Sequence, residues 1–506
     1  MNRNYNFIIR DFIGNFAIIN EYILALTCQG DMTVTLTGEG YDTGFIMAQV
    51  QDNVERLKEL GTAPVGRLLL KYSLPAVVGT VVSAVYNIID SIVIGQAIDD
   101  PNVVAGMAVT FPVMNIVTAL GMLVGAGAAT RTSIVMGQND RRAAEMILGN
   151  CVQLTIMFGL LYVTGFIFFL DPLLRLFGAS DNTLPYAHEF LMWVLPGMVL
   201  MNLTFSYNNV MRASGYPAKA MYTNLIGAVL NCLLAPLFLF VFKWGIRGAA
   251  IATDISMLVT ATWVMSHFFN HSNTVHFAKG SFRLNWPVIR SVLYIGMAPF
   301  LINVAGSGVN AIINNSLVTY GGDNAVAAVV VFNRYVTIFV FVIIGICQGM
   351  QPIVGYNYGS GRYKRLFRTF WLAAAVGTIV STIGSVFGIF NPRPIAAMFM
   401  QDEQQIECAV NCLKIAMLSF SVVGFQIVTT NFFQALGMAG KAVFLSLTRQ
   451  ILFMIPLLFI LPPMMGLDGV WSAFPISDMV ATIVAGVFLG IQIRHINSTP
   501  APRPEV

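Results

Sequence analysis

The stretch Val85–Ser91 reads VYNIIDS, and Val309–Asn315 in the second half of the chain reads VNAIINN. The likeness between the two halves extends outward from these segments at a nearly constant spacing. The matched pairs, 220 to 224 residues apart, are Pro75 and Pro299, Gly127 and Gly349, Gly137 and Gly359, Gly215 and Gly437, and Pro236 and Pro456. The sequence therefore predicts an internal duplication.

Each half has the composition of membrane-spanning helices. Hydrophobic residues make up 56% of the chain and charged residues 10%, against about 25% charged residues in soluble domains. A spanning helix needs about 20 apolar residues. Suitable uncharged runs are 102–130, 146–170, 190–211, 220–242, 291–322, 335–361, 369–392 and 415–440, and runs with one charge are 72–98, 248–266, 442–465 and 469–493. We therefore predict an all-α polytopic membrane protein with twelve transmembrane helices in two six-helix bundles.

The even number of spans per half determines the relation between the two bundles. Six crossings return the chain to its starting side, so the repeats should be parallel, with an axis along the membrane normal. Two such bundles are typical of secondary transporters, and a static duplicated bundle is the alternative. The second half must then start on the same side of the membrane as the first.

Basic residues are concentrated in one set of loops. One set holds Arg56, Lys58, Arg67, Lys71, Arg141, Arg142, Arg212, Lys219, Lys279, Arg283, Arg290, Arg362, Lys364, Arg365, Arg368, Lys441 and Arg494, and the other holds Arg175, Lys243, Arg247 and Arg393. This bias predicts a multi-pass protein with both termini in the cytoplasm. The chain has a net charge of +4, but its basic residues are not clustered as nucleic-acid binding would require.

The predicted organisation has five parts. Residues 1–60 form an N-terminal extension, either flexible or the product of a misassigned start codon, with Met47 as the alternative start. Its apolar stretch is interrupted by charges, so it neither spans the membrane nor resembles a signal peptide. Residues 61–270 form the first lobe, 271–290 a cytoplasmic basic linker, 291–495 the second lobe, and 496–506 a disordered tail.

Two acids lie inside predicted spans of the first half. A charge at mid-bilayer costs about 2.5–3.5 kcal/mol on insertion scales, so Asp90 and Asp254 are candidates for function. Pro75, fifteen residues before Asp90, can kink the same helix. Such a hinge and acid suit a switch driven by protonation, although Asp90 near the outer headgroups is the alternative.

Polar side chains could complete a site with these acids. Asn224, Asn231 and Thr253 lie on the fifth and sixth spans of the first half. Their oxygens suit a proton relay or a small-cation site, but such groups also stabilise helix packing.

The second half lacks the aligned acid, since Asn314 stands where the first half has Asp90. Its charges within spans are Arg334, Lys414, Arg449 and Asp478. Arg334 is either a counter-charge in the cavity or a structural residue. The coupling site is therefore predicted in the first half.

Enzyme and metal motifs are missing from the sequence. We find no phosphate-binding loop, no H-E-x-x-H and no G-x-S-x-G. His267, His271 and His276 are assigned to the basic linker, as a solvated loop rather than a metal site. The six cysteines contain no CxxC pair. We predict that the protein is not an enzyme, needs no cofactor or metal, and draws any pumping energy from an ion gradient.

Several motifs resemble the multidrug and toxic compound extrusion (MATE) family. They are Gln348–Gly361 (QGMQPIVGYNYGSG), Met211–Gly215 (MRASG) with its copy Gln434–Gly437 (QALG), and Gly248–Thr253 (GAAIAT). The resemblance is greatest to the bacterial branch with the QGxQPxxGYNYG signature, and it covers about residues 64–495. It implies two six-helix lobes around a V-shaped cavity, a location in the bacterial inner (plasma) membrane, and export of organic cations against inward H⁺ or Na⁺.

The resemblance also implies residue roles and one departure. It assigns the cation-binding acid of the first helix to Asp90, and further site residues to Asn231 and Thr253. The family's fifth-helix acid is replaced by Ala235 in NCLLAP, and Asp254 is a candidate to compensate.

The expected substrates are cationic or amphipathic small molecules, with membrane lipids as surroundings and a monomer as the expected state. A flippase for lipid-linked or large amphipathic substrates is the alternative on the same frame, and it would use Arg334 and Lys414 to bind phosphates. An intramembrane enzyme is disfavoured because the sequence contains no metal-binding or nucleophile motif. A channel or receptor would not require two parallel repeats.

Overall fold

Every regular element in the described part of the chain is helical. The structure, a computed structural model, describes residue 55 and residues 58–97 and 101–498. The first half contains α1 Val65–Ala97, α2 Pro101–Gly137, α3 Arg141–Leu176, α4 Leu184–Ala213, α5 Pro217–Pro236 and α6 Gly245–Phe269. The second contains α7 Trp286–Gly359, α8 Tyr363–Phe390, α9 Pro392–Ala397, α10 Glu403–Ala416, α11 Phe420–Ala435, α12 Ala439–Leu447, α13 Ile455–Met465 and α14 Leu467–Ser498. The predicted extension and tail lie almost wholly outside the described residues.

The helices account for twelve membrane crossings. Ten are long and apolar enough to span, and α10 with α11, bent by 57° between them, forms an eleventh. The 74 residues of α7 would measure about 110 Å as a straight helix, whereas the hydrocarbon core is about 30 Å thick. Gly322 interrupts α7 with φ 64° and ψ −158°, values that favour glycine, and divides it into two crossings. The predicted fold class and span number are confirmed.

The same helix ending occurs at equivalent places in both halves. Gly215 follows α4 with φ 102°, and Gly437 follows α11 with φ 73°. In each half the amide after this glycine donates to the carbonyl five residues earlier, at 3.1 Å and 3.0 Å respectively. This left-handed C-terminal closure explains why both MRASG and QALG end in glycine.

Two π-helical segments were not predicted. Leu237–Val241 follows α5, and Thr448–Met454 separates α12 from α13. A proline lies beside each segment. Pro236 comes directly before the first, and Pro456 comes after the second with one residue between them. Because proline cannot donate the regular i→i−4 bond, the hydrogen-bond ladder changes register there. Both segments lie in the fifth span of their half.

The two halves meet where α1 and α2 pack against α7. A row of glycines, which we call the glycine seam, lies at this contact and consists of Gly127, Gly137, Gly296, Gly345, Gly349, Gly355 and Gly359. A Cβ on Gly296 would lie 1.7 Å from the carbonyl oxygen of Leu123, and one on Gly127 would lie 2.0 Å from that of Val292. The helix backbones are therefore in direct contact across the seam.

The segment Gln348–Gly361 supplies much of this contact. Gly349 lies against Ser73, and the Gln351 side chain donates to the Thr130 hydroxyl at 2.5 Å. Asn357 is fully buried and donates to the carbonyl of Leu60 at 2.9 Å. The segment that resembles the family signature therefore joins the second half to the first.

The linker between the halves is partly buried against the first half. His267 belongs to the last turn of α6 and is only 8% exposed, so its placement in a solvated linker was wrong. The side chain of Asn150 on α3 donates to the carbonyl of Arg283 at 3.1 Å, and Asn273 is also buried. Helix α7 begins at Trp286, inside the predicted linker range 271–290. Packing on α3 therefore orders this connection.

His276 lies in the linker between two charged side chains. Its Nδ1 is 3.1 Å from the Arg141 guanidinium and 3.6 Å from Glu145. Burial, with smaller contributions from Arg141 and His271, lowers the pKa of His276 to about 4. His276 is therefore neutral near pH 7. Among the described residues, no group of three or more His, Cys, Asp or Glu side chains could hold a metal ion.

Candidate functional site

Four polar side chains from three helices meet in the first half. Tyr86 and Asp90 are four residues apart on α1 and share one face. Asn231 projects from α5 and Thr253 from α6. We call these four residues the first-half polar cluster. The structure thus places Asn231 and Thr253 in contact and Asp90 on the adjoining helix α1, and it adds Tyr86.

Hydrogen bonds within the cluster occupy Thr253. The Asn231 amide donates to the Thr253 hydroxyl at 3.1 Å, and that hydroxyl donates to the carbonyl of Ala249 at 3.1 Å. The Tyr86 side chain lies close to Thr253. Asn231 is 2% exposed, so this arrangement is held inside the helix bundle.

Two oxygen atoms of the cluster are left without partners. The Oδ1 atoms of Asp90 and Asn231 are buried, and within the described residues neither accepts a hydrogen bond. Buried acceptors are normally satisfied by a donor, a water or an ion. The described basic side chains provide no charge partner for Asp90. The cluster can therefore accept a proton or a small cation.

Ala235 leaves Asp90 as the one carboxylate of this cluster. Ala235 is 1% exposed and packs with Phe238 and Ala252, with Val93 of α1 beside them. These neighbours are apolar, so the place of the family's fifth-helix acid is a hydrophobic contact in this chain.

Asp254 does not join the cluster. Successive helix residues differ by about 100° in direction, and Asp254 points from α6 toward α4 whereas Thr253 points toward α5. A Cβ on Gly197 of α4 would lie 1.9 Å from the Asp254 Oδ1, so the absence of a side chain there makes room for the carboxylate. Asp254 therefore lies in a different part of the first half.

Pro75 lies at the glycine seam. Ser73 contacts Gly349 and Val77 contacts Gly345, so Pro75 is flanked on α1 by two residues in contact with the second half. Asp90 is fifteen residues farther along, or about 22 Å. A bend of α1 at Pro75 would move the polar cluster relative to the seam.

Asn224 belongs to a neighbouring contact. Its Oδ1 accepts from the Asn208 amide at 3.0 Å, and a Cβ on Gly79 would lie 2.8 Å from its Nδ2. Asn208 and Tyr86 were both missed from the sequence. The spacing of Tyr86 four residues before Asp90 was a signal that could have identified it.

The charges of the second half are arranged differently. Arg449, in the second π segment, pairs with Asp478 of α14 at 3.3 Å, and the Asp478 side chain is 12% exposed. Arg334, Lys414 and Asn314 are exposed. The predicted charges Arg449 and Asp478 thus form one ion pair, a relation that helical spacing alone did not reveal.

Known proteins of the same type match nearly the whole described chain. The MatE family model matches twice, over residues 75–237 and 299–460, once in each half. Multidrug export protein MepA of Staphylococcus aureus is 27% identical over 433 residues, covering 85% of this chain and 95% of that protein.

Solved structures of transporters share the fold. A MOP superfamily transporter from Pyrococcus furiosus superposes with a TM-score of 0.82 at 23% identity, covering 87% of this chain and 98% of that one. A crystal structure of MATE in the bent conformation gives a TM-score of 0.83 at 23% identity, covering 88% and 99% respectively. Since the family model covers more than half of the chain and recurs in both halves, this protein belongs to the MatE family of multidrug and toxic compound extrusion transporters.

Proposed function

We propose that this protein is a secondary antiporter that exports organic cations in exchange for inward H⁺ or Na⁺. The observation that supports this most strongly is Asp90, whose buried Oδ1 accepts no hydrogen bond within the described residues and has no basic partner there. An ionised carboxylate in such surroundings is costly unless a positive charge neutralises it. Either a coupling ion or a cationic substrate can provide that charge.

Exchange follows if the two cations compete for the same carboxylate. When a proton or Na⁺ occupies Asp90, the site is neutral and an organic cation loses its counter-charge. Release of the ion restores the negative charge and favours binding of the substrate cation. The site is then neutral each time it reorients from one side of the membrane to the other. This avoids the cost of a bare charge at mid-bilayer, about 2.5–3.5 kcal/mol.

Pro75 and the glycine seam provide the mechanical part of the proposal. Neutralising Asp90 changes the preferred packing of α1 against α5 and α6, and Pro75 is the point at which α1 can bend. Since Ser73 and Val77 lie at the seam on either side of Pro75, this bend is coupled to the contact between the halves. Opening and closing of the seam would then expose the site to each side in turn.

The resemblance of this chain to multidrug export protein MepA over most of its length supports drugs as the substrate class. We propose substrates that are amphipathic monovalent cations, a monomeric transporter in the bacterial inner membrane, and cytoplasmic termini as the basic loops suggest. The flippase alternative is less favoured because its candidate phosphate-binding residues, Arg334 and Lys414, are both exposed and form no buried basic site.

Everted membrane vesicles test the exchange and identify the ion. A fluorescent lipophilic cation should accumulate in vesicles that contain the protein when the vesicle lumen is made more acidic, or richer in Na⁺, than the surrounding solution. Collapse of the effective gradient with nigericin or monensin should release the dye. Accumulation that requires neither gradient but needs ATP would contradict the proposal.

A further inference from the structure

A cavity separate from the first-half polar cluster lies between α4 and α6. Its volume is about 530 Å³, within the range of small-molecule sites. Its lining residues are Met192, Trp193 and Pro196 from α4, and Ile251 and Asp254 from α6. One carboxylate is thus surrounded by an indole, a thioether and aliphatic side chains.

Asp254 lines this crevice beside a close contact between α4 and α6. Gly197 lets the carboxylate approach the α4 main chain, since a Cβ there would overlap with Oδ1. The Oδ1 is buried and accepts no hydrogen bond within the described residues, and the main chain at Gly197 lies beside it. No Arg or Lys in the described part of the chain forms an ion pair with Asp254. A ligand with a positive charge would provide the missing partner.

The crevice opens on an exposed apolar surface. Trp193 is 44% exposed and Met192 38%, and Leu258, one turn beyond Asp254 on α6, is 53% exposed. In a membrane-spanning bundle such a surface is accessible to molecules dissolved in the apolar phase. An ion pair between Arg247 of α6 and Glu189 of α4 lies about two helical turns from Asp254.

We propose that this crevice is a second binding site, for lipophilic organic cations, with Asp254 as the counter-charge and Trp193 as the aromatic wall. A cation near an indole face gains about 0.5–2 kcal/mol, more when water is excluded, and Met adapts to irregular apolar ligands. The inference rests on the proposed export of organic cations, because the site would hold the same class of substrate. It assigns Asp254 to capture of the cation, whereas Asp90 exchanges the ion.

Protection of an introduced cysteine tests the site without transport. The Met192→Cys protein is placed in liposomes with no ion gradient and treated with N-ethylmaleimide. Peptide mass spectrometry measures the rate of alkylation at residue 192, so that the native cysteines do not interfere. Tetraphenylphosphonium should slow alkylation of this residue. Adding Asp254→Asn should raise the tetraphenylphosphonium concentration that gives half-maximal protection at least ten-fold. Adding Trp193→Leu should raise the same concentration several-fold.

Asp90→Asn in the same Met192→Cys background is the matched control. It removes the same charge from the polar cluster and should leave protection within two-fold. Unchanged protection in Asp254→Asn, or failure of the cysteine to react at all, would overturn the proposal. Loss of protection in Asp90→Asn alone would place the cation in the polar cluster instead. None of these outcomes depends on gradient-driven export, so failure here is distinct from failure of the proposed function.

Discussion

Replacing Asp90 by asparagine should abolish export driven by an ion gradient while the protein folds and inserts normally. Asparagine keeps the shape of the side chain, but it cannot release a proton or neutralise a cation. We expect dye accumulation in everted vesicles to fall at least 100-fold, to the level of vesicles without the protein. Expression and monodispersity in detergent should match the wild type.

Asp254→Asn is the matched control for this prediction, since it removes another acid from within a span of the same half. It should retain a measurable response to the ion gradient, because Asp254 is separated from the polar cluster and lies against Gly197. Wild-type export by Asp90→Asn would show that the coupling site is elsewhere, and Asp478 would become the next candidate.

Gly296→Leu should prevent the two halves from closing against each other. A Cβ at this position would lie 1.7 Å from the Leu123 carbonyl oxygen, a backbone atom that cannot rotate away. Each half has its own buried hydrophobic clusters, so we expect the variant to insert and remain folded. Export should fall to the background level because the protein can no longer reach the state in which the seam is closed.

Ser133→Cys reports on the same seam. Ser133 is 1% exposed and faces Gly355 across the contact. In the Gly296→Leu background its alkylation should become at least ten-fold faster. Gly486→Leu is the control, since no atom lies within 4 Å of a Cβ built there, and it should leave both export and alkylation unchanged. Normal export by Gly296→Leu would mean that the seam does not need to close tightly.

Much of the fold follows from hydrophobic run length and the repeat. Runs of apolar residues located the spans, and the spacing between Pro75 and Pro299 located the duplication. The break at Gly322 differed from expectation, since a single residue rather than a loop divides α7. The π segments also escaped prediction, because hydropathy does not register a one-residue shift in the hydrogen-bond ladder.

The site was predicted only in part, because helical spacing identifies a face but not the partner of that face. Asn231 and Thr253 were selected as polar residues on the fifth and sixth spans and again through the family resemblance, and the structure joins them at 3.1 Å. Asp254 was grouped with them as an acid within the sixth span that could replace the missing fifth-helix acid, but neighbouring helix residues point about 100° apart and Asp254 lies against α4 instead. Glycine is common in spanning helices, so the sequence alone did not distinguish Gly127 and Gly349 as seam residues.

The most direct test of ion exchange at Asp90 is the reverse reaction in proteoliposomes. With no ion gradient imposed, a gradient of tetraphenylphosphonium should drive H⁺ or Na⁺ in the opposite direction, followed by an internal pH dye or by ²²Na⁺. We predict about one ion moved for each monovalent cation, and no ion movement in Asp90→Asn. Substrate movement without ion movement, or equal ion movement in Asp90→Asn, would contradict the account.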